Sequence, residues 1–428
     1  MQPGQDLDAA GEALVEEARR LGAHDAEVVA QDEDRGLLLL DGVDEQTGEA
    51  MAAHRVAARV VPDFTFDLAL SATTAKVGAD KTKQAGLTGA GQVVAVVDTG
   101  VAALHPALKD AVIVEKCFVY EGTGCPNGTN EQDGPGAAAP PCPVPDPGTS
   151  QLCNHGTHVA GIVAARSVDS MPSGVAPGAS IVAIRIFGSN GKASYWDLLD
   201  ALRWIDLHGV AMGVDAVNLS LTTDPMYAGS CDSEPSLSDL RDLVDSLRAK
   251  NIAVVVATGN GSPGSIGQVA VPACLSQTIS VSATTLGDAL ASFSHVARAT
   301  TLLAPGVNVL APVPAGYARM SGTSMAAPHV AGSIAVLRGL GDYSVDRVVS
   351  ALRGGGRPVW TGVGIIPRLD VDAALRPPHP PLVAAASAGD RRATVSWSAG
   401  SRGIGAALTG YQVVASPGGA TKLVGAST

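Results

Sequence analysis

Between residues 71 and 375 the chain alternates short, nearly continuous apolar runs with longer stretches whose apolar positions recur every three or four residues. The runs Val93–Asp98, 181–187, 216–221, 252–257 and 278–283 predict strands covered on both faces, because a half-exposed strand would alternate apolar with polar residues. Residues 194–208 and 236–250 carry helical periodicity. Ser194 and Asp197 stand at capping-box spacing at the start of the first of these, and Gly209 is its expected stop. Strands alternating with helices predict an α/β fold with a mostly parallel sheet and right-handed crossovers, in which ligands bind at the carboxyl ends of the strands.

The flanks follow other patterns. Residues 8–21 read as an amphipathic helix with Leu14, Ala18 and Leu21 on one face. Residues 26–30, 36–40 and 55–61 read as strands, and 45–53 as a second helix. The order α-β-β-α-β is a ferredoxin-like unit without its first strand, as expected of a chain clipped at its N-terminus. Arg376-Pro377-Pro378-His379-Pro380-Pro381 is a stiff linker. Residues 393–397 and 410–415 beyond it read as strands of a β module. Too few residues follow for a full sandwich of roughly 100, so the C-terminus also looks cut. The expected domains are therefore 1–70, 71–375, the linker 376–381 and the partial module 382–428.

Composition narrows the function. Hydrophobic residues make up 46% and charged residues 16%, which excludes a disordered chain. The net charge of −12 argues against a nucleic-acid partner, whose phosphates would be repelled. The apolar runs are strand-length, so no membrane span is expected. The six cysteines form no CxxC pair, and four of them crowd into the Gly/Pro-rich stretch 117–153. They are read as disulfides of an oxidising compartment. Residues 1–30 lack a basic start followed by an apolar stretch, so a signal was removed or the sequence begins inside a longer gene product.

The chemistry gathers in four segments at predicted strand ends or helix starts: Val94-Ala95-Val96-Val97-Asp98-Thr99-Gly100, His155-Gly156-Thr157-His158-Val159-Ala160-Gly161, Ala257-Thr258-Gly259-Asn260, and Ser321-Gly322-Thr323-Ser324-Met325-Ala326-Ala327-Pro328-His329. Ser324 precedes an apolar helical run through Leu337, with Pro328 expected in its first turn. A hydroxyl there faces unpaired backbone N–H groups, which can cap the helix or stabilise an oxyanion. A nucleophilic serine needs a base, and His155 opens a second apolar helix over 158–165. That base needs an orienting acid, and Asp98 ends a buried strand, where an unpaired carboxylate would be costly. Asn260 could donate its amide to the same oxyanion. Rival readings are weaker. Asp98-Thr99-Gly100 also looks like an aspartic-protease signature, but that chemistry needs two such carboxylates. His155 and His158 could ligate a metal, yet no HExxH glutamate accompanies them. Ala326 breaks the Gly-x-Ser-x-Gly elbow of an α/β-hydrolase esterase, and Gly261–Gly267 lacks the Gly-Lys-Ser/Thr of a phosphate loop.

Together the four segments resemble the subtilisin-like serine protease family. Gly174-Val175-Ala176-Pro177-Gly178-Ala179 and Leu303-Ala304-Pro305-Gly306 are similar to further family stretches. The resemblance implies a three-layer α/β/α catalytic domain and a serine endopeptidase. In it Asp98 orients, His155 is the general base, Ser324 the nucleophile and Asn260 an oxyanion donor. It also implies that Asn218-Leu219-Ser220-Leu221 pairs with the substrate backbone. Ser220, Leu221, Thr222 and Gly259 are then the candidate substrate contacts. Thr222 and Thr223 follow where the family usually has Gly, so the pocket wall is expected to be bulkier or displaced.

By the same resemblance residues 1–70 would be an inhibitory propeptide, cut between Pro62 and Lys76, and the C-terminal remnant the start of a fibronectin type III module with Trp397 and Tyr411 in its core. Cys142–Cys153, Cys117–Cys125 and Cys231–Cys274 are the expected pairings, among 15 possible for six cysteines. No cofactor is required. Calcium often binds the family through acidic loops, but no Asp-x-Asp-x-Asp loop is present to place it. The expected partners are protein or peptide substrates and the propeptide. The expected state is a monomer, secreted from the cell.

Overall fold

The computed structural model describes residues 7–32, 37–41, 43, 47, 50–51, 69–120, 124–142, 151–169, 171–376, 382–389, 392–398, 410–414 and 421–425. The chain divides into two units, Met1–Asp67 and Leu68–Thr428. In the first, helix α1 (Leu7–Arg20) precedes strand β1 (Glu27–Asp32), which pairs antiparallel with β2 (Leu37–Asp41). Leu14 and Ala18, one turn apart on α1, pack with Ala23, Ala26 and Met51, and Leu21 lies against them. Thr47, Ala50 and Met51 are helical, in line with the expected second helix. The expected strand 55–61 lies outside the described residues.

The second unit begins with short helices α2 (Ala69–Lys76) and α3 (Ala79–Gln84). Its strands follow in chain order: β3 (Val93–Asp98), β4 (Val112–Phe118), β5 (Glu131–Asp133), β6 (Ser180–Arg185), β7 (Val214–Leu219), β8 (Thr223–Tyr227), β9 (Ala253–Ala257), β10 (Val269–Val271), β11 (Ile279–Thr284), β12 (Leu302–Pro305), β13 (Val309–Val313), β14 (Gly316–Met320), β15 (Arg357–Trp360) and β16 (Ile365–Arg368). Ten of them form one sheet in the order β15-β16-β12-β11-β9-β7-β3-β6-β4-β5. The pairings are parallel except β15 with β16 and β4 with β5. Helices α4 (Gln151–Ala164), α5 (Tyr195–Met212), α6 (Ser238–Ala249), α7 (Thr323–Arg338), α8 (Val345–Gly355) and α9 (Val371–Ala374) complete the unit.

The continuous apolar runs are explained by two cores, one on each sheet face. Along β3, Val94 and Val96 point into a core shared with α4, α7 and α8. Val93, Ala95 and Val97 point into the other, shared with α5 and α6. With both faces buried, period-two alternation has nothing polar to display. The result is the expected three-layer α/β/α arrangement. β3 has β6 on one side and β7 on the other, so the strand order reverses there and a crevice opens at its carboxyl end, where Asp98 stands.

Three local expectations are corrected. The Ser194–Asp197 capping box forms, but α5 runs past Gly209 to Met212 and stops at Gly213, whose φ is 70°. Gly209 is instead a close-approach residue, since a Cβ there would lie 3.1 Å from Ile205 and from Ile252. Helix α4 starts at Gln151, before His155 rather than at it. Its first turn, Gln151-Leu152-Cys153-Asn154, mixes polar and apolar residues, so an apolar-run reading misses it. Pro328 lies inside α7 and beyond its first turn.

The cysteine pairs are Cys117–Cys125, Cys142–Cys153 and Cys231–Cys274, as expected. At the C-terminus β17 (Leu382–Gly389) pairs antiparallel with β18 (Arg392–Ser398), and β19 (Gly410–Val414) with β20 (Thr421–Gly425). Trp397 stands in β18 and Tyr411 in β19. Their side-chain packing and the linker residues 377–381 lie outside what is described.

Candidate active site

Asp98, the last residue of β3, is 1% exposed. Its Oδ1 accepts the Thr99 N–H at 2.6 Å and meets His155 Nδ1 at 2.7 Å. This contact joins residues 57 apart in the chain. It exists because α4 lies against the end of β3. The Gly156 N–H donates to Thr99 Oγ1 at 3.0 Å, and the Ala102 N–H donates to Thr157 Oγ1 at 3.0 Å. A Cβ on Gly156 would overlap the Gly100 carbonyl oxygen, so only glycine lets the helix approach this closely. The Cys142–Cys153 bond ties the first turn of α4. His155 remains 18% exposed at its side chain. Burial alone would lower its pKa, but the Asp98 carboxylate, by charge and by hydrogen bond, outweighs that and raises it above the ordinary histidine value.

Ser324 sits in the first turn of α7 and is half-buried. Its Oγ donates to the Ser220 carbonyl at 3.1 Å. The Ser324 carbonyl in turn accepts the Ser220 hydroxyl at 2.8 Å. Pro328 explains why that carbonyl is free. It stands four residues on, where its N–H would have closed the helical bond to Ser324, and proline has none. Asn218 Nδ2 donates to Ser220 Oγ at 2.9 Å, which fixes the hydroxyl. The end of β7 is thus bonded to the first turn of α7.

Asn260 follows β9 and is exposed. Its Oδ1 accepts the Thr323 N–H at 2.8 Å and Thr323 Oγ1 at 3.1 Å. With the oxygen held, Nδ2 must face away from Thr323. A point one Cβ bond off Gly322 lies 3.7 Å from Asn260 Nδ2 and 3.6 Å from the Ser324 backbone N. Two N–H donors therefore border one small space beside Ser324. Thr323 contributes to the site through this grip on Asn260, a role its place inside the Gly-Thr-Ser motif does not reveal by itself.

The neighbouring histidines have other duties. His158 is fully buried, and its Nε2 lies 2.9 Å from the Val309 carbonyl and 3.1 Å from that of Ala318. Burial lowers its pKa to about 3. His329 Nδ1 lies 2.8 Å from the Met325 carbonyl, and burial lowers its pKa to about 4. A nitrogen donating to carbonyls is not a metal ligand. Among the described residues no group of His, Cys, Asp or Glu side chains is arranged to hold a metal ion. Of the candidate substrate contacts, Ser220 is buried, Leu221 half-buried and Thr222 exposed between β7 and β8. β8 pairs antiparallel with β10, so the chain beyond Thr222 continues as a paired strand. Gly259 is buried, with φ 105°.

Residues 89–352 match the subtilase family. The chain belongs to that family. It is 35% identical to subtilisin DY of Bacillus licheniformis over 265 residues, 61% of this chain and 81% of the relative. It is 34% identical to subtilisin Savinase of Lederbergia lenta, over 61% of this chain and 82% of the relative. Among solved structures a protease of Pseudoalteromonas arctica is similar, with TM-score 0.55 and 27% identity, over 68% of this chain and 91% of that one. A cold-adapted subtilisin-like serine proteinase shares the fold at TM-score 0.51 and 22% identity, over 66% of this chain and 90% of that one. This subtilase is a subtilisin-like serine endopeptidase, with a large, mostly parallel sheet. No helix among the described residues is long and apolar enough to cross a membrane.

Proposed function

We propose that this subtilase cleaves peptide bonds with Ser324 as nucleophile, His155 as general base, Asp98 as the residue that orients the imidazole, and Asn260 with the Ser324 backbone N–H as oxyanion donors. The observation that carries the reading is the 2.7 Å contact between His155 Nδ1 and the buried Asp98 carboxylate. It holds the Nδ1–H tautomer and leaves Nε2 as the basic nitrogen.

The reaction runs as acyl transfer. Ser324 Oγ gives up its bond to the Ser220 carbonyl and turns to His155 Nε2, which takes its proton as Oγ bonds to the substrate carbonyl carbon. The carbonyl oxygen becomes an anion in the space bordered by Asn260 Nδ2 and the Ser324 N–H. Collapse breaks the C–N bond, and the amine leaves with the proton from His155. Water then attacks the acyl-enzyme, with His155 again as base. The substrate backbone pairs with the segment Ser220–Leu221–Thr222, and Gly259 is a further candidate contact through its backbone. Thr222 on the rim restricts the side chain accepted next to the scissile bond.

Residues 1–70 are read as a propeptide that blocks the cleft until cut between Pro62 and Lys76, a reading supported by the separate unit Met1–Asp67. Residues 71–375 are the catalytic domain, 376–381 a linker and 382–428 a partial fibronectin type III module. The three disulfides support secretion into an oxidising compartment. The mature enzyme acts as a monomer. Expression of residues 1–428 beside the Ser324→Ala form tests the scheme. Self-cleavage near residues 62–76, and labelling by a fluorophosphonate, are expected only with Ser324 present. Labelling of the Ser324→Ala form at the same rate would refute the assignment.

A further inference from the structure

The segment Gly259–Asn260–Gly261 turns through a positive φ at Gly259 and forms an antiparallel bridge between Asn260 and Ser294. The Gly261 N–H donates to the Phe293 carbonyl at 2.8 Å, and the His295 N–H donates to the Gly259 carbonyl at 3.0 Å. The Cβ directions of positions 259 and 261 converge on the same side of the segment. That side is filled by the imidazole of His295. A Cβ on Gly259 would stand 2.6 Å from its Cδ2, and a Cβ on Gly261 would stand 2.8 Å from its Cε1. His295 Nε2 would lie 3.5 Å from either. One edge of the ring therefore spans the floor beneath both glycines that flank Asn260.

The ring is itself held. Its Nδ1 accepts the Ser265 N–H at 2.7 Å, so the proton resides on Nε2. The His295 carbonyl accepts Thr258 Oγ1 at 2.8 Å and Ser282 Oγ at 2.7 Å, which ties it to the end of β9 and to the interior of β11. The residue is 8% exposed. Burial lowers its pKa against the opposing pull of the Asn260 carbonyl and Asp224, which favours the neutral ring that Ser265 requires.

We propose that His295 is a positioning residue for the oxyanion site: its ring supports the Asn260 backbone from below while Thr323 holds the Asn260 amide from above, and together they set where Nδ2 points. The inference rests on Asn260 being an oxyanion donor. Its reach comes from the steepness of catalysis with donor position, where a displacement of about 1 Å can cost about 100-fold.

A double-mutant cycle tests it, with enzyme concentration set by fluorophosphonate titration and a peptide anilide as substrate. His295→Ala is expected to lower kcat by about 10- to 100-fold with KM changed by less than about twofold. In the Asn260→Ala background the same change should leave kcat within about twofold, because there is no longer an amide to misplace. His295→Asn, whose Oδ1 can accept the Ser265 N–H, should recover part of the loss. It replaces His295→Ala in the cycle if that variant yields no titratable enzyme. An equal loss in both backgrounds, or unchanged kcat in the single variant, overturns the positioning role. Unchanged kcat in Asn260→Ala would instead remove the oxyanion assignment, and this inference with it.

Discussion

Asp98 shows how a buried carboxylate is placed to act on an imidazole. Its Oδ1 is shared by the Thr99 N–H and His155, so the imidazole has a single preferred orientation. The same pairing raises the His155 pKa, and the sign follows for activity. In the proposed mechanism neutral imidazole is the base, so kcat/KM should fall as pH drops through a midpoint above the ordinary value of about 6.5. In Asp98→Asn the charge is gone and burial remains. That midpoint should move downward, while kcat falls by roughly 10⁴-fold. A pH–rate profile with an unmoved midpoint would contradict the pairing. Asn260→Ala should lower kcat by about 10²–10³-fold with little change in KM, the size of loss found when such a donor is removed from a subtilisin. A change confined to KM would contradict a transition-state role.

At the scale of elements, glycine and proline act through what they lack. Gly156 has no Cβ to strike the Gly100 carbonyl, so α4 can lie on the end of β3. Gly156→Ala should therefore yield little soluble enzyme, as measured by expression and thermal melting, because the obstacle is backbone and cannot turn aside. Pro328 lacks an N–H, so the Ser324 carbonyl bonds Ser220. The motif Gly-Thr-Ser-Met-Ala-Ala-Pro is readable in the sequence, but what the free carbonyl bonds to is not. Gly209 and Gly213 make the same point. Both look like helix stops, and only the proximity of Ile252 makes Gly209 a packing residue. The Cys231–Cys274 bond closes a separation of 43 residues. In the chain-entropy account its removal by paired Cys→Ser changes should cost about 4 kcal/mol. Denaturant unfolding of the Ser324→Ala form, expected to be inactive, measures this.

For the whole molecule, two apolar cores lie on opposite faces of the ten-stranded sheet. One of them encloses histidines that carry no charge. His158 and His329, with pKa values lowered to about 3 and about 4, titrate far below an unfolded histidine. Their contribution to stability is complete above about pH 6.5 and is lost as pH falls from there toward 4, where the unfolded chain binds protons that the folded one refuses. Unfolding of the Ser324→Ala form at pH 5.5 should take up protons, as read by calorimetry in buffers of different ionisation enthalpy. Unfolding without proton uptake would mean that the two rings are charged inside the fold.

The chain's own order of residues determined the strands, because a run such as Val93–Val97 can only be satisfied when both its faces are covered. It also carried the residue types of the proposed reaction, written in short motifs at strand ends and helix starts. It could not determine that Asp98 and His155 share a hydrogen bond, that Thr323 turns the Asn260 amide, or that His295 lies beneath it. Those contacts join positions tens of residues apart. Only packing two layers of helices onto one sheet brings them within the few ångströms over which hydrogen bonds and charges act.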